Sequence, residues 1–259
     1  MILHLLQLGR VPYLQGLRVM REVAEARRAG RIADTLLLLE HPPVLTLGRN
    51  ASRANILATD VLLARKGVEV HEINRGGDIT YHGPGQLVGY PIFDLRGEGL
   101  PGKHGPHLGP VDFVRLLEQV LIFTCNDFGV PAQRIPKRTG VWTLAGGRIP
   151  ERKIAAIGIH VARAITTHGF ALNVTTDLRD FELIVPCGIA DRGVTSLEAE
   201  AEPCEELTLA SAADAVARNF GRVFGRQVLA VNAVEQLVDT EVSRTQAETG
   251  PHPAMRSYD

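Results

Sequence analysis

The chain has 259 residues, 45% of them apolar and 22% charged, with a formal net charge of −1. These values suit a globular chain that buries a core without disulfides or structural metals. The near-zero charge and 5% aromatic content exclude a polybasic nucleic-acid or membrane-surface binder and a stacking platform for single strands. From the N-terminus, Ile2 to Leu8 reads as a strand. Tyr13, Leu14, Leu17, Met20, Val23 and Ala24 recur at helical spacing, which predicts an amphipathic helix over Val11 to Arg28, stopped at Gly30. Thr35 to Glu40 and Val44 to Leu47 are apolar runs broken at His41-Pro42-Pro43, so two strands are expected. Thr59 is placed to cap a short helix over Asp60 to Lys66, and Val68 to Ile73 alternates like a strand. A glycine-rich segment, Arg75 to Gln86, leads into a strand over Leu87 to Leu95. Arg96 to Pro110 holds five glycines and three prolines and makes no regular element. A second helix is expected over Val111 to Phe128. Strands follow over Gly140 to Leu144, Lys153 to Val161 and Ala164 to Val174, then a helix over Leu207 to Phe224 capped by Thr208 or Ser211, and a short element within Val228 to Val238. Without a steady βαβ rhythm, the pattern favours an α+β fold of mixed sheets with flanking helices. One domain is expected over residues 1–238, with 239–259 a flexible C-terminal tail.

The three cysteines, Cys125, Cys187 and Cys204, are too few and too odd in number for a disulfide framework. No close Cys/His pair has zinc spacing, so no metal is expected. The first residues lack a signal-peptide pattern and no apolar run approaches a membrane span, so a cytoplasmic protein is expected. Four segments carry candidate chemistry. Arg75 to Gln86 sets four glycines among donors and a proton-handling histidine, and glycine lets backbone approach a ligand closely. Its glycine spacing fits neither a Walker A loop nor a dinucleotide fingerprint. Cys187 sits between Pro186 and Gly188, a stiff approach with one open side. A thiol needs a neighbouring cation or base to react as thiolate. Cys125, inside a helix among Leu121, Ile122 and Phe128, reads as a small buried hydrophobe, and the acidic surroundings of Cys204 oppose ionisation. Lys153 opens a strand of small residues that leave room for a ligand. His168 begins the run His168-Gly169-Phe170, where it is either a structural histidine or one that orients substrate or lines a pocket. His104 and His107 read as solvated loop histidines.

RGGDITYHGPGQLVGYPIFDL at 75–95, KIAAIGIHV at 153–161, HGFALNV at 168–174 and PCGI at 186–189 together resemble the lipoyl(octanoyl) transferases, in that family's order, over roughly residues 1–225. The resemblance implies the catalytic fold of lipoate– and biotin–protein ligases. It implies transfer of octanoate from octanoyl-acyl carrier protein to a lysine of lipoyl domains, those of 2-oxoacid dehydrogenase complexes and the glycine cleavage H protein. It implies an acyl thioester on Cys187, with Lys153 lowering the thiol pKa and moving the proton, and no cofactor. It assigns the acyl pocket to Arg75, Gly76, Gly77, Asp78, Ile79, Thr80, Tyr81 and His82, to Ala156, Ile157 and Gly158, and to Gly169, Phe170 and Ala171, with His168 in support. An apolar tunnel is expected from Cys187 toward the glycine segment, narrowing near Gly76, Gly77, Ala156 and Gly158. Rival readings are an ATP-dependent ligase of the same fold, which has no need of the Cys187/Lys153 pair; a papain-like hydrolase, whose cysteine-before-histidine order is reversed here; and a noncatalytic acyl-binding scaffold.

Overall fold

The computed structural model describes residues 1–102, 105, 107–146, 150–185, 193–203, 205–233 and 237. The expectations for Cys187 and its 186–189 block, Cys204, His104 and the 239–259 tail lie outside the described residues.

Apolar runs with period-two alternation build an eight-stranded mixed sheet. Its strands are β1 (Ile2–Arg10), β2 (Asp34–Glu40), β6 (Gln86–Ile92), β7 (Ala132–Ile135), β8 (Arg138–Thr143), β9 (Lys153–Ala162), β10 (Ile165–Asn173) and β11 (Gln227–Val231). The spatial order is β11-β1-β2-β6-β10-β9-β8-β7. β1 runs parallel to β2 and β11, while the β2–β6–β10–β9–β8–β7 pairs are antiparallel. A smaller sheet of order β4-β3-β5 joins β3 (Val44–Leu47), β4 (Glu69–Glu72) and β5 (Ile79–His82). The α+β class with mixed sheets and flanking helices holds.

The two faces of the large sheet are covered differently. Leu36, Leu38, Leu87, Phe170 and Leu172 point into one apolar cluster with α3 (Pro110–Asp127) and α5 (Leu209–Phe224). Their neighbours Leu37, Leu39, Val88, Tyr90 and Ala171 join the opposite cluster with α1 (Tyr13–Arg28). Alternation along a strand turns consecutive side chains to opposite faces, so each strand serves two cores. α1 buries Tyr13, Leu17, Met20, Val23 and Ala24, as its spacing requires. Leu14, assigned to that stripe, is exposed instead, because it sits off the i, i+4, i+7 line.

Local signals worked as chemistry dictates. The Thr59 side chain accepts from Leu62 N at the start of α2 (Asp60–Arg65). Thr208 and Ser211 form a reciprocal capping box on α5. Cys125 is fully buried, and burial pushes its thiol up to about 12. The irregular stretch after β6 is pinned by Leu100 and Leu108, both buried in the α3/α5 cluster, with Leu108 N donating to Leu95 O. Among the described residues no helix is long and apolar enough to cross a membrane.

Candidate active site

The small sheet lies over the α1 side of the large one, and between them is a cavity of about 390 Å³. Its volume falls within the range of small-molecule sites. β6, β9 and β10 supply Val88, Ala156 and Ala171, which share a face because they are paired across the ladder. β5 supplies Thr80 and His82, and the loop before it supplies Arg75, Gly77 and Asp78. Lys153, at the start of β9, completes one wall, with Ile157, Gly158, His168, Gly169 and Phe170 also contributing. The fold therefore gathers three of the four sequence blocks around one volume.

Three residues of the glycine segment stand apart from it. Ile79 and Tyr81 alternate onto the other face of β5, into a cluster with Leu45, Phe181 and Leu183. There the Tyr81 hydroxyl donates to Asp180. Gly76 works through its backbone: its N–H donates to Ile159 O, and a Cβ on Gly158 would lie 2.7 Å from Gly76 O. Gly158 is thus a place of close backbone approach, not open acyl space. Gly169 answers to the same constraint, since a Cβ there would collide with Gly89 O and Pro91.

A directional hydrogen-bond chain runs behind the cavity. The buried Arg75 guanidinium donates to Thr46 O at 2.7 Å and to Thr46 Oγ1 at 2.9 Å. Thr46 Oγ1 faces His82 Nε2 at 3.4 Å. His82 Nδ1 donates to Gln86 Oε1 at 2.7 Å, because Gln86 Nε2 is committed to Tyr81 O and to Asn173 Oδ1. Asn173 Nδ2 donates to Thr195 O. Thr195 N donates to Lys153 O, and Lys153 N to Gly193 O. The links from Arg75 to Thr195 are buried, which makes a satisfied network rigid, and only its Lys153–Gly193 end reaches the surface. Val185 N donates to Asn55 O, so both described flanks of the 186–192 block are tied, one to the small-sheet side and one to Lys153.

Burial and the nearby positive charge of Arg75 hold the imidazoles neutral. Desolvation first, then His41 and Arg75, bring His82 down to about 3. Desolvation and Arg75 do the same for His168, also to about 3. His168 Nε2 donates to Asn74 Oδ1 at 2.9 Å, and its φ of 55° turns the ring out of the regular strand path. His41 is lowered by burial; its Nδ1 donates to Val11 O, so its Nε2 accepts from the Tyr90 hydroxyl. Tyr13 stacks between His71 and His82, with ring centroids 5.3 Å and 6.4 Å away.

Sequence reasoning missed Tyr13, Asn50, Val88, Tyr90, Lys137 of the β7–β8 turn, and Arg138 and Thr139 at the start of β8 as cavity lining. Tyr13 sits in a helical apolar stripe and reads as core. The turn is held by Glu118, a fully buried carboxylate on α3 that accepts from Arg115, Arg134 and Gly140 N. A glutamate at a core position of an amphipathic helix was the available signal. His107 belongs to the irregular stretch after β6, away from the cavity lining. Among the described residues no His/Cys/Asp/Glu cluster could hold a metal ion.

The family model described as the lipoyl protein ligase A/B catalytic domain matches residues 12–221. The chain belongs to this family. An octanoyltransferase of Acidobacterium capsulatum is 61% identical over 247 residues, spanning 95% of this chain and 100% of that protein. An octanoyltransferase of Koribacter versatilis is 49% identical over 239 residues, spanning 92% and 91%. A bi-partite lipoate protein ligase from Thermoplasma acidophilum superposes with a TM-score of 0.67 at 14% identity, over 95% of this chain and 92% of that one. That likeness shows the fold that this member of the lipoyl protein ligase A/B family shares with lipoate protein ligases.

Proposed function

We propose that the chain takes an octanoyl group from octanoyl-acyl carrier protein onto Cys187 as a thioester and passes it to a lysine of a lipoyl domain, in the cytoplasm. The chain is an octanoyltransferase of protein lipoylation, in keeping with relatives of that name at 46–61% identity over most of its length. The observation that carries the finer reading is the cavity. Its floor is built from small and apolar side chains, Val88, Ala156 and Ala171, and Lys153 stands on its wall.

The chemistry then follows. The Lys153 ammonium favours the thiolate of Cys187 by charge. The thiolate attacks the donor carbonyl, a C–S bond to Cys187 forms, and the bond to the carrier sulfur breaks. Lys153 gives its proton to the departing thiolate and is left as the amine. The acceptor lysine attacks the new thioester; the amide forms, Cys187 leaves as thiolate, and Lys153 recovers a proton from the attacking amine. One thioester replaces another, so the first half is nearly balanced, and no nucleotide is consumed. The acceptors are the lipoyl domains of 2-oxoacid dehydrogenase complexes and the glycine cleavage H protein.

The test is intact-protein mass spectrometry after mixing with octanoyl-acyl carrier protein. One hydroxylamine-sensitive octanoyl group at Cys187 is expected, transferable to a lipoyl domain without ATP. A thioester that forms on Cys125 or Cys204 in Cys187→Ser, or a strict need for free octanoate and ATP, overturns the mechanism.

A further inference from the structure

The mechanism needs the Lys153 head group in one place with its charge intact. Lys153 Nζ lies 4.8 Å from the centroid of the Trp142 ring, over its face. Trp142 is paired with Lys153 across the β8–β9 ladder, so their side chains emerge on the same face of the sheet. A ring face attracts an ammonium through its quadrupole and so favours one position of the head group.

Trp142 is also poorly explained as packing. It is 1% exposed, yet among the described residues it belongs to none of the three apolar clusters. Its Nε1 is buried and, among the described residues, makes no hydrogen bond. Burying an unsatisfied indole N–H is unfavourable, and a phenylalanine would fill much of the space without that penalty. Tryptophan does offer the strongest cation-binding face of the aromatic side chains. Around the same cavity stand three further cations, Arg75, Lys137 and Arg138.

We propose that Trp142 is a positioning residue for the first half-reaction: its ring face holds the Lys153 ammonium at the cavity wall. This rests on the role proposed above for Lys153. The chain contains one tryptophan, so biosynthetic incorporation of 5-fluoro-, 5,7-difluoro- and 4,5,6,7-tetrafluorotryptophan alters this ring alone. Fluorination drains the ring quadrupole step by step while nearly preserving shape. Formation of the octanoyl enzyme should slow in steps, by roughly two- to thirty-fold across the series, the span of such contacts, in kcat with KM for the carrier substrate unchanged. In Lys153→Ala the residual rate should be flat across the same series. Trp142→Phe should retain more of the rate than Trp142→Leu. A rate that does not change with fluorination in the otherwise unmodified chain, or one that falls equally in Lys153→Ala, overturns the proposal while leaving octanoyl transfer intact. Loss of acylation by the unsubstituted enzyme would instead overturn the mechanism on which it rests.

Discussion

The two faces of the large sheet are made by the same strands and do opposite work. On the α3/α5 side, Phe93, Phe113, Phe170, Phe220 and Phe224 mesh with ring centroids 4.9–6.4 Å apart, and the buried polar side chains of α3 and α5, Glu118, Thr124 and Asn219, are satisfied by hydrogen bonds. On the α1 side, the rings are Tyr13, His41, His71, His82, Tyr90 and His168; there a guanidinium is buried and 390 Å³ is left unfilled. Phe170 and Ala171 are adjacent, one a bulky side chain for the first face and the other a small floor for the second. The division lets one face supply stability while the other holds desolvated polar groups and empty volume, both of which are unfavourable in isolation.

The comparison breaks most visibly at Lys153. Lys153→Ala should slow octanoyl-enzyme formation by about 10²–10⁴-fold, with the unfolding midpoint in urea nearly unchanged. A variant that acylates normally across pH would make the lysine structural. On the opposite face, Phe220→Ala should cost roughly 3–5 kcal/mol of stability and leave the acyl-chain preference of the surviving folded protein as it was. A changed preference would mean that the two faces are not independent.

The cavity floor gives a subtler test. Ala171→Leu adds side-chain volume where acyl carbons would lie. Each displaced methylene forfeits about 0.8 kcal/mol, near four-fold, so the preference should move from C8 toward C6 or C4 carrier substrates. Relative acylation rates for C4, C6, C8 and C10 decide it, and an unchanged profile in a stable variant would place the acyl chain elsewhere. Gly158 is the wrong position for this experiment, since its added Cβ would strike Gly76 O and disturb backbone before it met substrate.

The buried imidazoles tie this face to pH. Burial brings His82 and His168 from the ordinary imidazole value of 6.5 to about 3, so below pH 6.5 the unfolded chain binds protons that the folded chain does not. Stability is full above that pH and declines as pH falls toward 3, by up to about 1.4 kcal/mol per pH unit for each group. Urea unfolding at pH 7, 6, 5 and 4 should show a shallower decline in His82→Gln. Equal slopes would show that His82 protonates freely in the folded protein. The smallest effect lies at the exposed start of α5: Thr208→Ala removes its cap and should cost about 1 kcal/mol in unfolding experiments, with no effect on acyl transfer.

What the sequence disclosed follows from how local each signal is. The strand over Val44 to Leu47 and the cap at Thr59 emerged as read, since periodicity and capping act within a few residues. β5 stayed hidden inside the glycine segment: Ile79 and Tyr81 alternate with Thr80 and His82, but four residues between glycine turns are too few for the alternation to stand out. β7 is half-buried throughout at the sheet edge and carries Gln133 and Arg134, too polar to stand out. The polar chain behind the site was least legible, because Gln86 and Asn173 are 87 residues apart and each looks ordinary in its own strand. Arg75, Lys153 and the small residues could be named by resemblance; that Gly76 and Gly158 meet backbone to backbone required the fold.

The lone tryptophan gives this molecule an intrinsic optical probe. Indole emission shifts with the charge and polarity next to the ring, and in most proteins several indoles blur that signal. Here all of the indole emission comes from Trp142, 4.8 Å from the Lys153 ammonium. Loading the cavity or acylating the enzyme changes the field at one wall, so stopped-flow emission from unlabelled protein can time the arrival of the acyl group separately from its departure to the acceptor.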